Sequence, residues 1–415
     1  MTESTTRISA LDLIRGVAVL GILAINVANF AAPSSATFSP DLPHPGTAGL
    51  WANHTAYLAT LILFEGKMRA LFSVLFGASL LLFVERADAA GRDGARLQAR
   101  RLAWLLLFGY LHFALIWDGD ILFLYAAMGF IALALRNWQP RQWVTAAALT
   151  LALWQVWGAA QWLPSLTAEA AVRSGTASPA AQRSHARDLA EFRKDDARDQ
   201  ADAQASWPAL VQVKLANRAD DPLSLVAYNW GETLPWMLLG MALLRSGFFA
   251  GQWPRRRLVW LAGAGVGLGG AATLGFAVWA ARSHYPEVAM HFALSYGLAL
   301  PHLAMALGYA ALLVLAAPRL LRSVPGQMLE AAGRMAFSNY LGTSLVMSAL
   351  CSGWGLGLFG QFGAAQRWTL VLLVWAMILA WSQPWLARYR QGPLEWAWRS
   401  LTEWKWLALR RRWVG

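Results

Sequence analysis

The sequence has little cysteine and little charge, and both shortages narrow what the protein can be. Its single cysteine, Cys351, excludes an intrachain disulfide and argues against a thiolate metal site. Charged residues make up 14% of the 415 positions, whereas hydrophobic residues make up 57% and include 24 tryptophans. A soluble domain cannot bury that much apolar surface. The composition therefore predicts an all-α fold, a polytopic transmembrane helical bundle, with no metal centre.

Apolar runs long enough to cross the hydrocarbon core of a bilayer recur along the chain and predict about ten spans. Charged residues interrupt the second run at residues 65–69, which predicts a half-helix followed by a span from Ala70. Only Asp118-Gly119 separates the third and fourth runs, which predicts a tight hairpin. The runs lie at about 9–30, 55–85, 102–118, 120–136, 142–163, 229–246, 257–281, 290–316, 335–353 and 368–387.

Arginine and lysine are distributed unevenly between alternate loops. The loops on one side carry most of these residues, whereas the short loops on the other side carry only Arg282 and Arg367. This asymmetry predicts a multi-pass protein of the bacterial cytoplasmic (inner) membrane with both termini inside the cell. The net charge of +12 is then explained by arginine facing an anionic lipid leaflet, without a nucleic-acid partner.

The same patterns divide the chain into four parts. Residues 1–163 form an N-terminal five-span bundle and residues 229–390 a C-terminal five-span half. Residues 164–228 between them are rich in alanine, serine and charge, and predict an extracytoplasmic insert, most simply a solvated spacer. Residues 391–415 predict a cytoplasmic interfacial tail, in which the Trp- and Arg-rich segment from Pro393 to Trp413 is an amphipathic helix.

The first predicted span begins with two ionisable residues, Asp12 and Arg15. Charged groups at membrane depth are energetically costly, so each is a candidate functional residue. A spacing of three places both side chains on one face of a helix, where they can pair while Arg15 keeps further N–H donors for an anionic partner. The alternative is an ion pair that only fixes the orientation of the span.

A second candidate site lies at the predicted hairpin. His112 is surrounded by apolar residues, and Asp118 and Asp120 follow it at the hairpin tip. An imidazole within reach of a carboxylate is a suitable general base, because the carboxylate orients the ring and stabilises its charged form. In the alternative interpretation His112 is a packing residue and Asp120 caps the next helix.

A third candidate site is the interruption of the second run. Glu65, Lys67 and Arg69 surround Gly66, which suits a re-entrant break whose amides and cations bind a carboxylate or a phosphate. The alternative is an interfacial anchor with snorkelling basic side chains. We expect Asp12, Arg15, Glu65, Lys67 and His112 to converge on one polar cavity formed by the first four spans, because each would be costly in lipid.

Several motifs are shared with a known family. They comprise Arg15-Gly16, Gly21, Asn26, Phe64-Glu65-Gly66-Lys67, Leu71-Phe72-Ser73-Val74-Leu75-Phe76-Gly77, His112, Gly119-Asp120-Ile121-Leu122 and residues 333–340, 353–360 and 392–402. These residues strongly resemble the YeiB-like bacterial membrane proteins over nearly the whole chain apart from residues 164–228. The first half is also similar to the wider transmembrane acyltransferase superfamily.

That resemblance implies transfer of an acyl group from a cytoplasmic donor, usually acyl-CoA, to a sugar or other acceptor across the bilayer. In one branch of the superfamily a catalytic histidine lies eleven residues after the arginine, where this chain has Asn26. In the branch of the lysosomal heparan glucosaminide acetyltransferase that position is also asparagine, and the histidine lies in the following loop. His54, or His44, occupies that region here.

Three functions are therefore open. An acyltransferase would use His112 or His54 as base, with Asp120 as partner, and Arg15, Lys67 and Arg69 for the donor phosphates. Acyl-CoA would be a co-substrate, and no cofactor is expected to be tightly bound. A small-molecule transporter would use ionisable relays in two repeated halves, and a non-catalytic tether would need only packed helices. In the acyltransferase alternative, the acceptor would be a small molecule or a glycan. Asp12, Asn26, Glu65 and Asn339 are expected in the polar core, and a homodimer is compatible with the sequence.

Overall fold

The computed structural model describes residues 8–40 and 50–411, and this part of the chain has an all-α fold. Residues 34–37 form a 3₁₀ turn and residues 293–297 a π-helical turn. The α-helices are α1 (Ser9–Ala31), α2 (Leu50–Leu63), α3 (Lys67–Ala89), α4 (Gly94–Leu115), α5 (Leu122–Ala134), α6 (Pro140–Arg173), α7 (Pro179–Gln204), α8 (Trp207–Asn217), α9 (Asp221–Arg245), α10 (Arg255–Arg282), α11 (Glu287–Phe292), α12 (Ala299–Leu320), α13 (Val324–Arg334), α14 (Ala336–Cys351), α15 (Ala364–Arg388) and α16 (Pro393–Glu403).

Within the described residues, six helical stretches are long and apolar enough to cross a membrane. The chain is therefore a helical membrane protein, but the predicted number of about ten spans is not confirmed. α4 is outside this set because it begins with several arginines, and α14 because it has only 16 residues. The six stretches are Ser9–Ala31, Trp51–Ala89, Pro140–Arg173, Arg255–Arg282, Ala299–Leu320 and Ala364–Arg388.

Helices from the two halves of the sequence pack against each other. α1 packs against α13, α14 and α15, and α3 packs against α9 and α12. The contact between α1 and α13 needs glycine on both sides, because a Cβ atom on Gly16 would overlap the carbonyl group of Leu329, and one on Gly333 would overlap that of Asp12. Gly16 and Gly333 belong to motifs that carry the family resemblance, one in each half of the sequence. These two motifs thus meet at one helix interface.

The predicted interruption of the second run is present as a turn between α2 and α3. Gly66 has φ 72°, a left-handed conformation that glycine adopts without a steric penalty. The turn directs the charged side chains apart: Lys67 Nζ donates to the carbonyl oxygen of Leu61 at 2.8 Å, whereas Arg69 Nε lies 3.1 Å from Glu232 Oε2 on α9.

The insert is regular and attached to the bundle. α6 continues to Arg173 and α9 begins at Asp221, so both helices extend into the range predicted for the insert, and α7 and α8 lie between them. On α7, Asp196 accepts hydrogen bonds from the backbone N–H (3.0 Å) and hydroxyl (2.6 Å) of Ser35, and Asp199 accepts the equivalent bonds from Ser34. The insert is therefore docked on the end of α1 instead of forming a loose spacer.

The C-terminal segment is a shorter helix than predicted. The prediction of one helix from Pro393 to Trp413 is wrong, since α16 ends at Glu403. Trp404 then adopts a left-handed conformation (φ 52°), and the chain turns back so that Arg410 forms an antiparallel bridge with Tyr389. Trp413 lies outside the described residues. α16 packs against α4 and α14, and it therefore closes one end of the bundle.

Candidate active site between two cavities

His112 and Asp120 form a buried pair at the hairpin between α4 and α5. His112 Nδ1 lies 2.7 Å from Asp120 Oδ1, and Asp120 Oδ2 accepts a hydrogen bond from the backbone N–H of Phe123 at 2.9 Å. Asp120 thus caps the start of α5 and contacts the imidazole at the same time, so the cap does not prevent the predicted pairing with His112. Among the described residues, His112 Nε2 has no hydrogen-bond partner.

An inner cavity of about 230 Å³ lies on one side of this pair. Its walls are largely apolar, with side chains from α3, α4, α5 and α14, and four charged residues also line it: Arg15, Arg101, Arg334 and Glu395. Arg15 Nη1 donates to Asp12 at 2.7 Å and Nη2 donates to Ser79 at 2.7 Å, so the predicted ion pair is present. The apolar walls include Phe72, Leu75, Phe76, Leu80, Leu105, Leu122 and Phe337.

A basic vestibule of about 490 Å³ adjoins the inner cavity, and the two share Arg101, Arg334, Glu395 and Trp398 as lining residues. Six arginines and two glutamates line the vestibule, which gives it a strongly positive character. Glu395 on α16 accepts hydrogen bonds from the backbone N–H groups of Phe337 and Ser338 at the start of α14, so it closes a helix N-terminus. The arginines are Arg86, Arg92, Arg101, Arg334, Arg390 and Arg399.

An outer cleft of about 510 Å³ lies between the bundle and the insert. Five aspartates line it, together with Arg198, Lys214 and several aromatic rings. Lys214 Nζ donates to the carbonyl oxygen of Phe113 at 3.0 Å. Burial lowers the pKa of Lys214 below its ordinary value, and the Asp118 carboxylate acts in the opposite direction. The aspartates are Asp118, Asp120, Asp199, Asp202 and Asp221.

His112 itself lines neither the inner cavity nor the outer cleft, but aromatic neighbours of its ring line both. Its ring centroid is 5.4 Å from the ring of Tyr340, which lines the inner cavity, and 6.3 Å from the ring of Trp117, which lines the outer cleft. Asp120 itself lines the outer cleft. The inner cavity and the outer cleft lie at different levels of α1, because Arg15 lines the first and Asn29 lines the second, about 21 Å apart along the helix axis.

The other candidate residues of the sequence analysis have separate positions. His54 on α2 contacts Tyr285, whose hydroxyl lies 3.2 Å from His54 Nδ1, and it is not among the lining residues of the two cavities or the vestibule. His44 lies outside the described residues. Asn26 borders a small cavity beside Tyr340. Asn339 is buried and hydrogen-bonded to α13 and α15, which gives it a structural role.

The expected convergence on one cavity is not met. Arg15 lines the inner cavity and Glu65 lines a different, smaller cavity, whereas Asp12, Lys67, Arg69 and His112 line neither the inner cavity nor the vestibule. The turn at Gly66 explains the difference, because it directs Lys67 to α2 and Arg69 to α9. Their interpretation as phosphate ligands therefore has no support from their positions.

Several residues of the site were not assigned by sequence reasoning. Arg101, Arg334, Tyr340 and Glu395 all line the inner cavity. Arg334, Tyr340 and Glu395 lie in motifs that carry the family resemblance, at residues 333–340 and 392–402. Those motifs are therefore the sequence signal that could have identified them. Arg101 belongs to the basic loops from which the sequence analysis predicted only the topology.

Comparison with known proteins agrees with the resemblance. Residues 243–405 match a family model described as a protein of unknown function, DUF418. The chain is 31% identical to the "Uncharacterized protein YeiB" of Escherichia coli (strain K12), over 94% of this chain and 95% of that protein. It is 29% identical to the "Uncharacterized protein YxaH" of Bacillus subtilis (strain 168), over 99% and 98% of the two chains. No solved structure matches this chain.

Proposed function

This chain belongs to the YeiB-like family of bacterial membrane proteins, and we propose that it is an integral membrane acyltransferase. It would move an acyl group from an acyl-CoA-like donor to an acceptor such as a glycan. The observation that carries the proposal is the position of the His112–Asp120 pair, which lies between an apolar cavity with a basic vestibule and a separate polar cleft.

The donor would occupy the vestibule and the inner cavity. Guanidinium groups bind phosphate oxygens through paired, charge-assisted hydrogen bonds, and six arginines line the vestibule. The adjoining inner cavity offers apolar walls for an acyl chain, and Arg15 would assist at the boundary between the two. The phosphates of one donor would thus bind in the basic vestibule, and its acyl group would bind in the adjacent apolar cavity.

The acceptor would enter through the outer cleft. As its hydroxyl or amine attacks the thioester carbonyl carbon, His112 Nε2 would accept the acceptor proton, and Asp120 would stabilise the resulting imidazolium. The carbon–sulfur bond then breaks, and the leaving thiolate takes the proton back from His112. Each cycle would transfer one acyl group to the acceptor and one proton from the acceptor to the thiolate, so His112 would return to its neutral form.

Tyr340 is placed to assist this reaction. Its buried hydroxyl accepts a hydrogen bond from the backbone N–H of Ile121 at 3.3 Å, which leaves its own O–H proton available as a donor. Since Tyr340 lines the inner cavity beside His112, this proton would stabilise the oxyanion that forms on the thioester carbonyl.

The arginine distribution supports a cytoplasmic location for the basic vestibule, in an inner-membrane protein with both termini inside the cell. The donor would then reach the protein from the cytoplasm and the acceptor from the other side. Enzymatic reporters fused after Trp207 test this topology. A reporter that is active only outside the cytoplasm should be active at this fusion point, because the insert is expected to lie outside. Activity only of a cytoplasmic reporter would contradict it.

The decisive experiment measures transfer of labelled acetyl from acetyl-CoA into membranes that contain the protein. His112→Gln should reduce the rate about 100-fold or more, because it removes the base. His284→Asn is the matched control, since His284 is exposed and has a left-handed conformation (φ 53°) that asparagine tolerates. Undiminished transfer by His112→Gln would overturn the assignment of the base.

A second candidate function is a small-molecule transporter, which one feature favours. Arg69 and Glu232 form an ion pair inside the bundle, and buried Lys67 and His302 lie close to it. Ionisable groups at such positions commonly serve as proton or substrate relays. If no acyl-CoA of any chain length supports transfer, and Glu232→Gln abolishes uptake or export of a solute, the transporter would replace the enzyme.

A further inference from the structure

A small cavity apart from the proposed active site contains two buried side chains of opposite charge. It has a volume of about 40 Å³ and lies between α1, α2 and the first turn of α15. Glu65 and Arg367 both line it, with exposed fractions of 8% and 6%. Neither residue lines the inner cavity, the vestibule or the outer cleft, so the mechanism proposed above does not use them.

Arg367 has no hydrogen-bond or salt-bridge partner among the described residues, and its Nη1 atom is fully buried. A buried guanidinium without a partner is strongly unfavourable, since both its charge and its N–H donors lose water without compensation. A carboxylate or a similar anion of a ligand would supply both the missing charge and the missing acceptors.

Glu65 lines the same cavity and carries a charge of the opposite sign. Lys67 and Arg69 are near enough to interact with the charge of Glu65, but the turn at Gly66 directs their hydrogen bonds elsewhere, to the carbonyl oxygen of Leu61 and to Glu232. A carboxylate in a buried cavity calls for a hydrogen-bond donor, and an ammonium group is the strongest donor for it.

We infer that this cavity binds a small zwitterion, with its carboxylate at Arg367 and its ammonium group at Glu65. The volume allows about three water-sized groups, which limits the ligand to the smallest amino acids. The Thr60 hydroxyl, which accepts a hydrogen bond from Trp368 Nε1 at 3.1 Å, lies on the same wall and adds to the polar lining. This site is independent of acyl transfer.

Equilibrium binding of radiolabelled glycine to the purified full-length protein tests the inference. A ligand of this size should bind in the range from about micromolar to millimolar. Acetate and ethylammonium, each with one of the two charged ends, should compete more weakly than glycine. Leucine should not compete, because its side chain exceeds the cavity.

Glu65→Gln and Arg367→Gln should each weaken glycine binding about tenfold or more. Arg282→Gln, an exposed arginine that does not line the cavity, should bind as the wild type does. Ala28→Leu keeps both charges but fills the cavity, so it should also abolish binding even if one of the charge variants fails to fold.

Three results would overturn the inference. The first is absence of glycine binding by correctly folded wild-type protein, which would leave only water in the cavity. The second is equal binding by the wild type and all variants. The third is acetate binding as tight as that of glycine and unaffected by Glu65→Gln, which would indicate a simple anion site at Arg367.

Discussion

The basic vestibule and the outer cleft have similar volumes, about 490 and 510 Å³, but opposite charge character. Six arginines and two glutamates line the vestibule, whereas five aspartates, one lysine and one arginine line the cleft. The vestibule continues into an apolar cavity, and the cleft leads to Asp120. The two spaces therefore differ in the charge that they present to a ligand.

Under the proposed acyl transfer, this charge difference favours a different substrate on each side. A polyanion is attracted by the vestibule and repelled by the carboxylates of the cleft, so a phosphate-bearing donor has one favourable approach. A neutral or amine-bearing acceptor has no such conflict in the cleft. Under the proposed function, the charge difference would thus keep the donor and the acceptor on separate sides.

The largest effect is expected at the His112–Asp120 pair. Asp120→Asn removes the charge that stabilises protonated His112, while the amide can keep the cap of α5. We expect kcat for acyl transfer to fall about 100-fold or more, with donor binding unchanged. Isothermal titration with a non-transferable donor analogue separates the two quantities. Equal losses in donor binding and in kcat would mean that the aspartate is structural.

A smaller effect is expected from the vestibule. Arg390 and Arg399 are exposed and line only the vestibule, so their loss should disturb the bundle little. The double variant Arg390→Gln/Arg399→Gln should raise KM for the donor about tenfold and leave KM for the acceptor unchanged. Arg255→Gln/Arg256→Gln, on the exposed start of α10, is the matched control. A change confined to the acceptor KM would reverse the assignment of the two sides.

The outer cleft should respond in the complementary way and more weakly. Asp118 lines the cleft, and Asp118→Asn should change KM for an amine-bearing acceptor about threefold without effect on the donor. Because the Asp118 carboxylate raises the pKa of Lys214 while burial lowers it, the variant should lower that pKa further. The pH dependence of acceptor KM is the measurement. An unchanged profile would show that neither side chain meets the acceptor.

Sequence reasoning predicted the parts of this arrangement that depend on short distances along the chain. The His112–Asp120 pair spans a hairpin of eight residues, so the local pattern was sufficient. The membrane-protein class followed from composition alone. The glycines at the α1–α13 contact were visible as motifs, but their pairing was not, since nothing local indicates which distant helix a glycine meets.

The parts that could not be predicted depend on how distant helices pack. Arg101 and Glu395 reach one cavity from α4 and α16, which are separated by most of the chain. The break at Gly66 was predicted, but the directions of Lys67 and Arg69 depend on the rotation of α3 against α2 and α9. Charged residues near a break therefore indicate a polar environment without indicating which cavity they line.

The smallest effect is expected at the rim of the vestibule, where the Arg92 side chain donates hydrogen bonds to Glu403 on α16. These bonds lower the pKa of Glu403 below its ordinary value of 4.5. A carboxylate with a lowered folded-state pKa stabilises the fold above its ordinary pKa, and the contribution is lost as the pH falls through the lowered value. We therefore expect α16 to loosen only below about pH 4.5, by a modest amount because the pair is partly exposed.

Hydrogen exchange of the α16 amides as a function of pH measures this loosening. Glu403→Gln should remove the acid-induced increase in exchange and show faster exchange at neutral pH. Glu191→Gln, which affects an exposed pair with Lys194 on α7, should leave the α16 profile unchanged. If the acid-induced increase persists in Glu403→Gln, α16 is held by its packing on α4 and α14. The rim of the vestibule would then be rigid at acidic pH, and the vestibule would differ from the outer cleft in its charge and not in its mobility.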